Sequence, residues 1–358
     1  MSFQLNVVQI FVITSVVNGL VYAVLILFKR ENQQANKFLA LLLISLSLTF
    51  TPFLIGGEYF LNVLWLAFLP LSLAYWIGPA IYFYTQHLTN PSYKFKPRQL
   101  WHFAPIVLNY IHSVYHGLQL SGPLHFIHVI GEFLEFTSII SVFIYSYFAL
   151  KKLNSYNESI LNQLSNIEHV HLQWLKSFIK VLISLFIIVL LYYVIAQVTT
   201  HDTYAVEIEW FRSSILLIYG TTMYWLSISG YRQSQTLNNP IDLSTETSIS
   251  KTPDLVQMVL ERKLYTDPEL SLRTLSKKTD ISEKEISTII NRELNKNFYQ
   301  FINEFRIEEV KSKLKNPQYN HLKIISIAYE CGFNSKATFN RLFKNMVGQS
   351  PQEYKESN

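Results

Sequence analysis

Residues 324–355 read IISIAYECGFNSKATFNRLFKNMVGQSPQEYK. The spacing predicts two short helices joined by a tight turn. Ile327 and Ala328 face inward, the small Ala allowing close helix approach. Gly332 makes the turn, since positive φ is easiest for Gly, and Phe333 plugs the core beneath it. Ser335 is placed to cap the following helix with its hydroxyl. Phe339, Leu342 and Phe343 follow at helical spacing as a buried stripe, and Lys336, Ala337, Asn340, Arg341 and Lys344 fall on the opposite face. A helix entering the major groove of DNA offers its N-terminal residues to base edges. There Arg pairs bidentately with guanine and Asn with adenine. The alternative for Lys336, Arg341 and Lys344 is a solvated helix face.

The same layout recurs upstream, in 270–298, LSLRTLSKKTDISEKEISTIINRELNKNF. Ser282 and Glu285 have the S-x-x-E spacing of a capping box. Ile286, Ile289 and Ile290 make the buried stripe, which leaves Glu283, Lys284, Ser287, Thr288 and Asn291 outward. Asn295 suits the left-handed position after the helix. Helices are expected over 254–264, 271–279, 282–294, 298–315, 321–331 and 335–346, with a short one from Pro351, and no strand pattern accompanies them. The long helix 298–315 joins the two helix-turn-helix units.

Taken together, the stretch from Leu270 to Tyr354 resembles the AraC-type (AraC/XylS) transcription regulators. The resemblance is carried by Ile327-Ala328, Gly332-Phe333, Phe339, Phe343-Lys344, Gly348, Pro351 and Tyr354, and by NFYQFINEFRIEEVKSKL as a linker helix. It implies two recognition helices placed in successive major grooves of double-stranded DNA. Base contact is carried onto Lys336, Ala337, Asn340 and Arg341, and onto Lys284, Ser287 and Thr288 in the first unit, with Lys344 beside them. Asp280-Ile281 depart from the Gly-plus-aromatic pair of many members, and Asn295 replaces a common Gly.

Outward from this domain the composition changes. Residues 253–358 hold 17 Lys+Arg and 14 Asp+Glu, against 13 and 11 in the much longer 1–252. The first two-thirds therefore read as membrane and the last third as a soluble domain. The net charge of +5 is too small to establish nucleic-acid binding alone. Residues 233–252 are rich in Ser, Thr, Asn and Gln and read as a flexible linker. The organisation expected is thus a transmembrane sensor domain over 1–232, a linker over 233–252 and a DNA-binding domain over 253–358. The fold class is all-α: a seven-helix transmembrane bundle followed by a domain with two helix-turn-helix units. Cys331 stands alone, so it offers no intramolecular disulfide or thiolate metal site and reads as a small apolar filler.

Seven stretches approach the roughly 20 apolar residues of a membrane span: 5–28, 38–55, 61–84, 100–118, 125–150, 178–198 and 208–229. The run from Leu5 is too long, and lacks the flanks, for a cleaved signal peptide. Lys29, Arg30, Lys37, Lys94, Lys96, Arg98, Lys151, Lys152, Lys176 and Arg232 follow the odd-numbered spans, while the loops between hold no Lys or Arg. By the positive-inside rule the N-terminus is outside and the C-terminal domain cytoplasmic. The membrane part, with GPAIYFY and LWHFAP, is similar to the multi-span sensor portion of some bacterial membrane-bound AraC-type regulators, which implies a bacterial inner membrane.

Ionisable residues within spans mark candidate function. His125, His128, Glu132 and Glu135 lie within an arc of about 80° on one helix face, near the outer side. His112 and His116 sit one turn apart on the preceding span, and Arg212 near the start of the last. Three readings stand: a satisfied polar network in the bundle, an outward pocket for a small molecule or protons, and a His–carboxylate metal site, although no HExxH pattern is present and no metal or cofactor is assigned. The loop 151–176, with Leu161, Leu164, Ile167, Val170 and Leu172, reads as an interfacial helix or as a coupling element. No paired catalytic motif suggests an enzyme. A transporter-like membrane portion with a regulatory tail is the alternative, though no internal repeat supports it. The partners expected are double-stranded DNA, the lipid bilayer, a small-molecule or proton signal and a second copy of the chain, since one domain reads only a short site.

Overall fold

A computed structural model describes residues 6–49, 73–90, 92–117, 125–167, 172–198, 205–233 and 252–357. Among these the regular elements are helical apart from one isolated β-bridge. They fall into two compact units.

The first unit holds α1 (Val7–Phe28), α2 (Gln33–Thr49), α3 (Ala74–Thr89), α4 (Pro105–Gly117), most of α5 (His125–Leu161), α6 (Gln173–Val198) and α7 (Ala205–Arg232). The Asn6 side chain accepts from the Gln9 N–H at 2.7 Å and the Gln9 side chain answers to the Asn6 N–H at 3.0 Å, which satisfies two orphan donors at the start of α1. α1 packs on α2 and α7, and α2 on α3. The contact face of α1 is small: Ser15, Gly19 and Ala23 are buried there. A Cβ on Gly19 would lie 2.4 Å from Met223 Cε and 2.6 Å from Ser47 Oγ, both ends of side chains packed over the glycine. The other face of α1 exposes Val7, Ile10, Val17, Val21, Val24, Leu25, Leu27 and Phe28.

Three stretches of the described helices are long and apolar enough to cross a membrane: Val7–Phe28, Phe136–Leu161 and Gln173–Leu191. Seven spans were expected. α2 is described as far as Thr49, where the expected second span runs on outside the described residues. The expected third span falls largely outside the described residues, which resume at Leu73. The fourth begins with a 3-10 turn over Pro97–Phe103, followed by α4, which is described as far as Gly117. α7 has 28 residues but carries Glu207, Glu209 and Arg212 in its first two turns.

The second unit comprises 252–357 together with 155–167. It contains α8 (Thr252–Glu261), α9 (Leu272–Thr279), α10 (Glu283–Thr288, continued as a π turn to Glu293), α11 (Phe298–Lys315), α12 (Ile324–Glu330), α13 (Lys336–Val347) and α14 (Pro351–Glu356). Asn297 caps α11 by accepting from the Gln300 N–H at 2.9 Å. Phe298, Phe301 and Ile302 of α11 enter one core with Leu255, Leu275, Ile286 and Ile290. Ile307, Val310 and Leu314 enter a second with Ile327, Ala328, Phe339 and Phe343. One helix thus supplies side chains to both helix-turn-helix units, each fully buried one contributing about 1.5–3 kcal/mol.

The expected interfacial helix over the 151–176 loop does not form in its described part. α5 continues to Leu161, a turn follows at 162–163, and Leu164 then makes a bridge. The Ser165 N–H donates to the Leu270 oxygen at 3.2 Å and the Leu272 N–H to the Gln163 oxygen at 2.8 Å. These bonds make the Leu164–Ser271 bridge. Val170, at the end of that expected helix, lies outside the described residues.

Candidate nucleic-acid interface

In the second helix-turn-helix unit, Gly332 takes φ +95° between α12 and α13. A Cβ there would meet the Tyr265 oxygen at 2.5 Å and Arg306 Nε at 2.9 Å, so glycine is required by both conformation and contact. Phe333 is buried beneath the turn, and its ring touches Phe339 at 5.2 Å between centroids. Contacts of Phe339 with Phe343 and of Phe343 with Tyr354 extend the stack. Ser335 caps α13 through the Thr338 N–H at 3.3 Å. With Phe339, Leu342 and Phe343 holding its inner side, α13 exposes Lys336, Ala337, Asn340, Arg341 and Lys344. An open groove beside it is lined by Lys323, Lys336, Asn340, Lys344 and Lys355, with Glu356 at its edge. Four ammonium groups converge there, the electrostatic condition for a phosphate backbone.

In the first unit, Asp280 ends α9 at φ +57°. Asp tolerates this left-handed conformation, at the position where the resemblance led to an expectation of Gly. Ile281 is buried in the aromatic's place. Ser282 accepts from the Glu285 N–H at 3.2 Å, and Asn295 takes φ +51°. Lys284 and Thr288 are half-buried. Ser287, expected on the outer face, is buried, and its hydroxyl accepts from the Asn291 amide at 2.9 Å. Ser287 adjoins the buried Ile286 on this helix, and a π turn follows over Ile289–Glu293.

Arg306 is the residue that the sequence reading passed over. It is only 1% exposed. Nε donates to the Tyr265 oxygen at 2.7 Å and Nη2 to the Asp267 oxygen at 2.7 Å, both in the loop that precedes α9. Nη1 donates to Asn303 Oδ1 and to the Ser165 oxygen, and Nη2 also to Ser165 Oγ. The guanidinium lies 5.9 Å from the Phe333 ring centroid. Burial pulls its pKa down to about 10, which leaves it charged at neutral pH. Arg306 therefore ties the first unit, the shared helix and the turn of the second unit to one another. A signal existed: Arg306 falls on the stripe of Tyr299, Ile302, Asn303 and Val310, where a charge needs a polar cradle.

Of the candidate sensing residues, His112 lies half-buried on α4. His116 of α4, His125, His128, Glu132 and Glu135 of α5, and Arg212 of α7 have backbones in these helices, and their side chains lie outside the described residues. Among the described residues no group of three or more His, Cys, Asp or Glu is arranged to hold a metal ion.

Two helix-turn-helix units carried on one shared helix define a tandem helix-turn-helix domain. Residues 275–357 match a family described as helix-turn-helix domain, and the C-terminal part of the chain is an AraC-type domain of this kind. It is similar, with 36% identity over 93 residues, to an uncharacterised HTH-type transcriptional regulator of Staphylococcus aureus strain COL. That match covers 26% of this chain and 12% of the relative. It is also similar to the uncharacterised HTH-type transcriptional regulator YdeC of Bacillus subtilis strain 168, with 25% identity over 32% of this chain and 38% of the relative. The chain thus spans only a fraction of the length of these relatives. No solved structure matches it.

Proposed function

We propose that the chain is a membrane-embedded, sequence-specific DNA-binding transcription regulator. Its N-terminal seven-helix portion senses an external or membrane-borne signal in a bacterial inner membrane, with the N-terminus outside and the DNA-binding domain in the cytoplasm. The observation that carries this reading is the face of α13: Lys336, Ala337, Asn340, Arg341 and Lys344 stand exposed on a helix whose other side is locked into an AraC-type core. Arg341 and Asn340 read base edges in the major groove. Lys336 and Lys344 meet phosphates, with the N-terminus of α13. Lys284 and Thr288 of α10 serve a neighbouring groove.

The membrane reading is supported by the apolar outer face of α1, since a contiguous exposed apolar surface is rare on a soluble monomer. It is supported too by the Lys and Arg residues that follow alternate spans. The relatives' designation as HTH-type transcriptional regulators favours the DNA reading. The signal acts by shifting the bundle between two arrangements, and pairing of two chains lengthens the site that is read.

The test is a binding selection in which the full chain, held in nanodiscs, is challenged with random duplex DNA. Enrichment of one motif, lost in Arg341→Ala and Lys336→Ala, is expected. No enrichment at low salt, from the monomer or a forced dimer, would refute the reading.

A further inference from the structure

The segment after α5 is built into the DNA-binding unit rather than lying beside it. Gln163 and Ser165 are 5% and 1% exposed. The Ser165 hydroxyl donates to the Leu270 oxygen at 2.6 Å and accepts from Arg306 Nη2 at 3.1 Å. Its carbonyl oxygen accepts from Arg306 Nη1 at 3.3 Å and from Asn303 Nδ2 at 3.1 Å. Leu161 and Ile167 pack against the core of the second helix-turn-helix unit, while Leu164 bridges to Ser271 at the cap of α9 in the first. Seven consecutive residues thus touch the first unit, the shared helix α11 and the second unit.

The bonding is specific. A guanidinium has five N–H donors in a fixed fork, and Ser165 accepts from both of its terminal nitrogens. Without this segment, Arg306 and Asn303 would lose partners in a place where water scarcely reaches. The segment also continues directly from α5, one unbroken helix from His125 to Leu161. A helix transmits axial displacement and rotation along its length because every turn is hydrogen-bonded to the next.

We propose that residues 161–167 are a latch that holds the two helix-turn-helix units at the spacing needed to read DNA, and that α5 controls DNA binding by seating or withdrawing it. The latch rests on the transcription-regulator reading and adds a transmission element to it. Seated, it preorganises α10 and α13, and ordering two reading heads before contact raises affinity. Withdrawn, it leaves the seam at Arg306 incompletely bonded and the two heads loosely coupled.

The test uses the full chain in nanodiscs of phosphatidylethanolamine and phosphatidylglycerol. The bonds that flank Leu164 and Ser271 make them a non-hydrogen-bonded antiparallel pair, whose Cα atoms are about 4.5 Å apart, within disulfide reach. Leu164→Cys with Ser271→Cys is expected to cross-link nearly completely under mild oxidation. Leu164→Cys with Lys336→Cys is not. The cross-linked protein should bind its selected DNA site within about twofold of the reduced form. Ser165→Pro, which removes the N–H bonded to Leu270, should weaken that binding at least fivefold, and the milder Ser165→Ala should weaken it two- to threefold. Absence of the cross-link would overturn the proposal. So would unchanged or tighter binding by both Ser165 variants when the cross-link forms. Cross-linking without specific DNA binding by any form would support seating of the segment and refute the transcription-regulator reading instead.

Discussion

Gly332→Ala separates conformation from contact in the second helix-turn-helix unit. At φ +95° a side chain costs about 1–2 kcal/mol, offset by roughly 0.4–1 kcal/mol of lost freedom in the unfolded chain. The new Cβ would also lie 2.5 Å from the Tyr265 oxygen and 2.9 Å from the Thr266 carbonyl carbon. Both are backbone atoms, which cannot swing aside as a flexible side chain can. Relief requires the 265–267 loop to back away from the turn, which strains the Arg306–Tyr265 bond, worth about 1.5–3 kcal/mol as a charged hydrogen bond. The sum is a loss of about 2–4 kcal/mol. In a domain of this size that lowers the melting temperature by roughly 10–25 °C. Gly348 is the matched control: its φ is +86°, and a Cβ there meets nothing within 4 Å. Gly348→Ala should cost about 1 kcal/mol or less. Thermal melts of the full chain in nanodiscs, followed by limited proteolysis of the 252–357 part, compare the two. Equal losses would refute the claim that the turn is held against Tyr265.

Arg341→Ala should weaken binding to a selected site by about 1–3 kcal/mol and relax base preference at one position, read by titration against matched and mismatched duplexes. Lys344→Ala should weaken matched and mismatched sites alike and reduce the slope of log affinity against log salt by about 0.9. Burial pushes the Cys331 thiol up to about 12, so native protein should resist iodoacetamide at pH 8 and react only on unfolding, as mass spectrometry after a pulse of reagent would show. The Asp267 carboxyl is held below its usual range, first by its hydrogen bond from Lys278. Because the folded value is depressed, its contribution is present above the unfolded value of about 3.9 and is lost as pH falls through the folded one. Asp267→Asn should therefore flatten the fall of the urea midpoint below about pH 4. The effect should be small, under about 1 kcal/mol, since the side chain is 35% exposed.

The second helix-turn-helix unit was legible because each of its constraints is local. Gly332, Phe333, Ser335 and the Phe339 stripe are fixed by neighbours within one or two turns, and sequence spacing records such relations directly. Ser287 was misplaced because it lies beside the buried Ile286, at the edge between the inner and outer faces of the helix, and accepts a hydrogen bond from Asn291 there. Arg306 was visible as a charge on an apolar stripe, but its cradle is made of main-chain oxygens from Tyr265, Asp267 and Ser165. Carbonyl groups have no residue type to give them away. The 162–167 segment was misread for a related reason. Its apolar residues satisfy a loose helical period, while the pairing that decides its conformation comes from Leu270 and Leu272, about a hundred positions later. In the N-terminal portion, apolar content alone did not reveal the 3-10 turn that precedes Pro105.

The distance between Ser165 and Arg306, 141 positions along the chain, also bears on the order of synthesis. At roughly 5–20 residues per second, Ser165 leaves the ribosome on the order of ten seconds before the guanidinium that grips it. During that interval α6 and α7 are made. The helix-turn-helix unit therefore closes only after α6 and α7 exist, and a truncated or stalled product ends with its clasp open. Completion of the reading head becomes a record that the rest of the polypeptide has been produced.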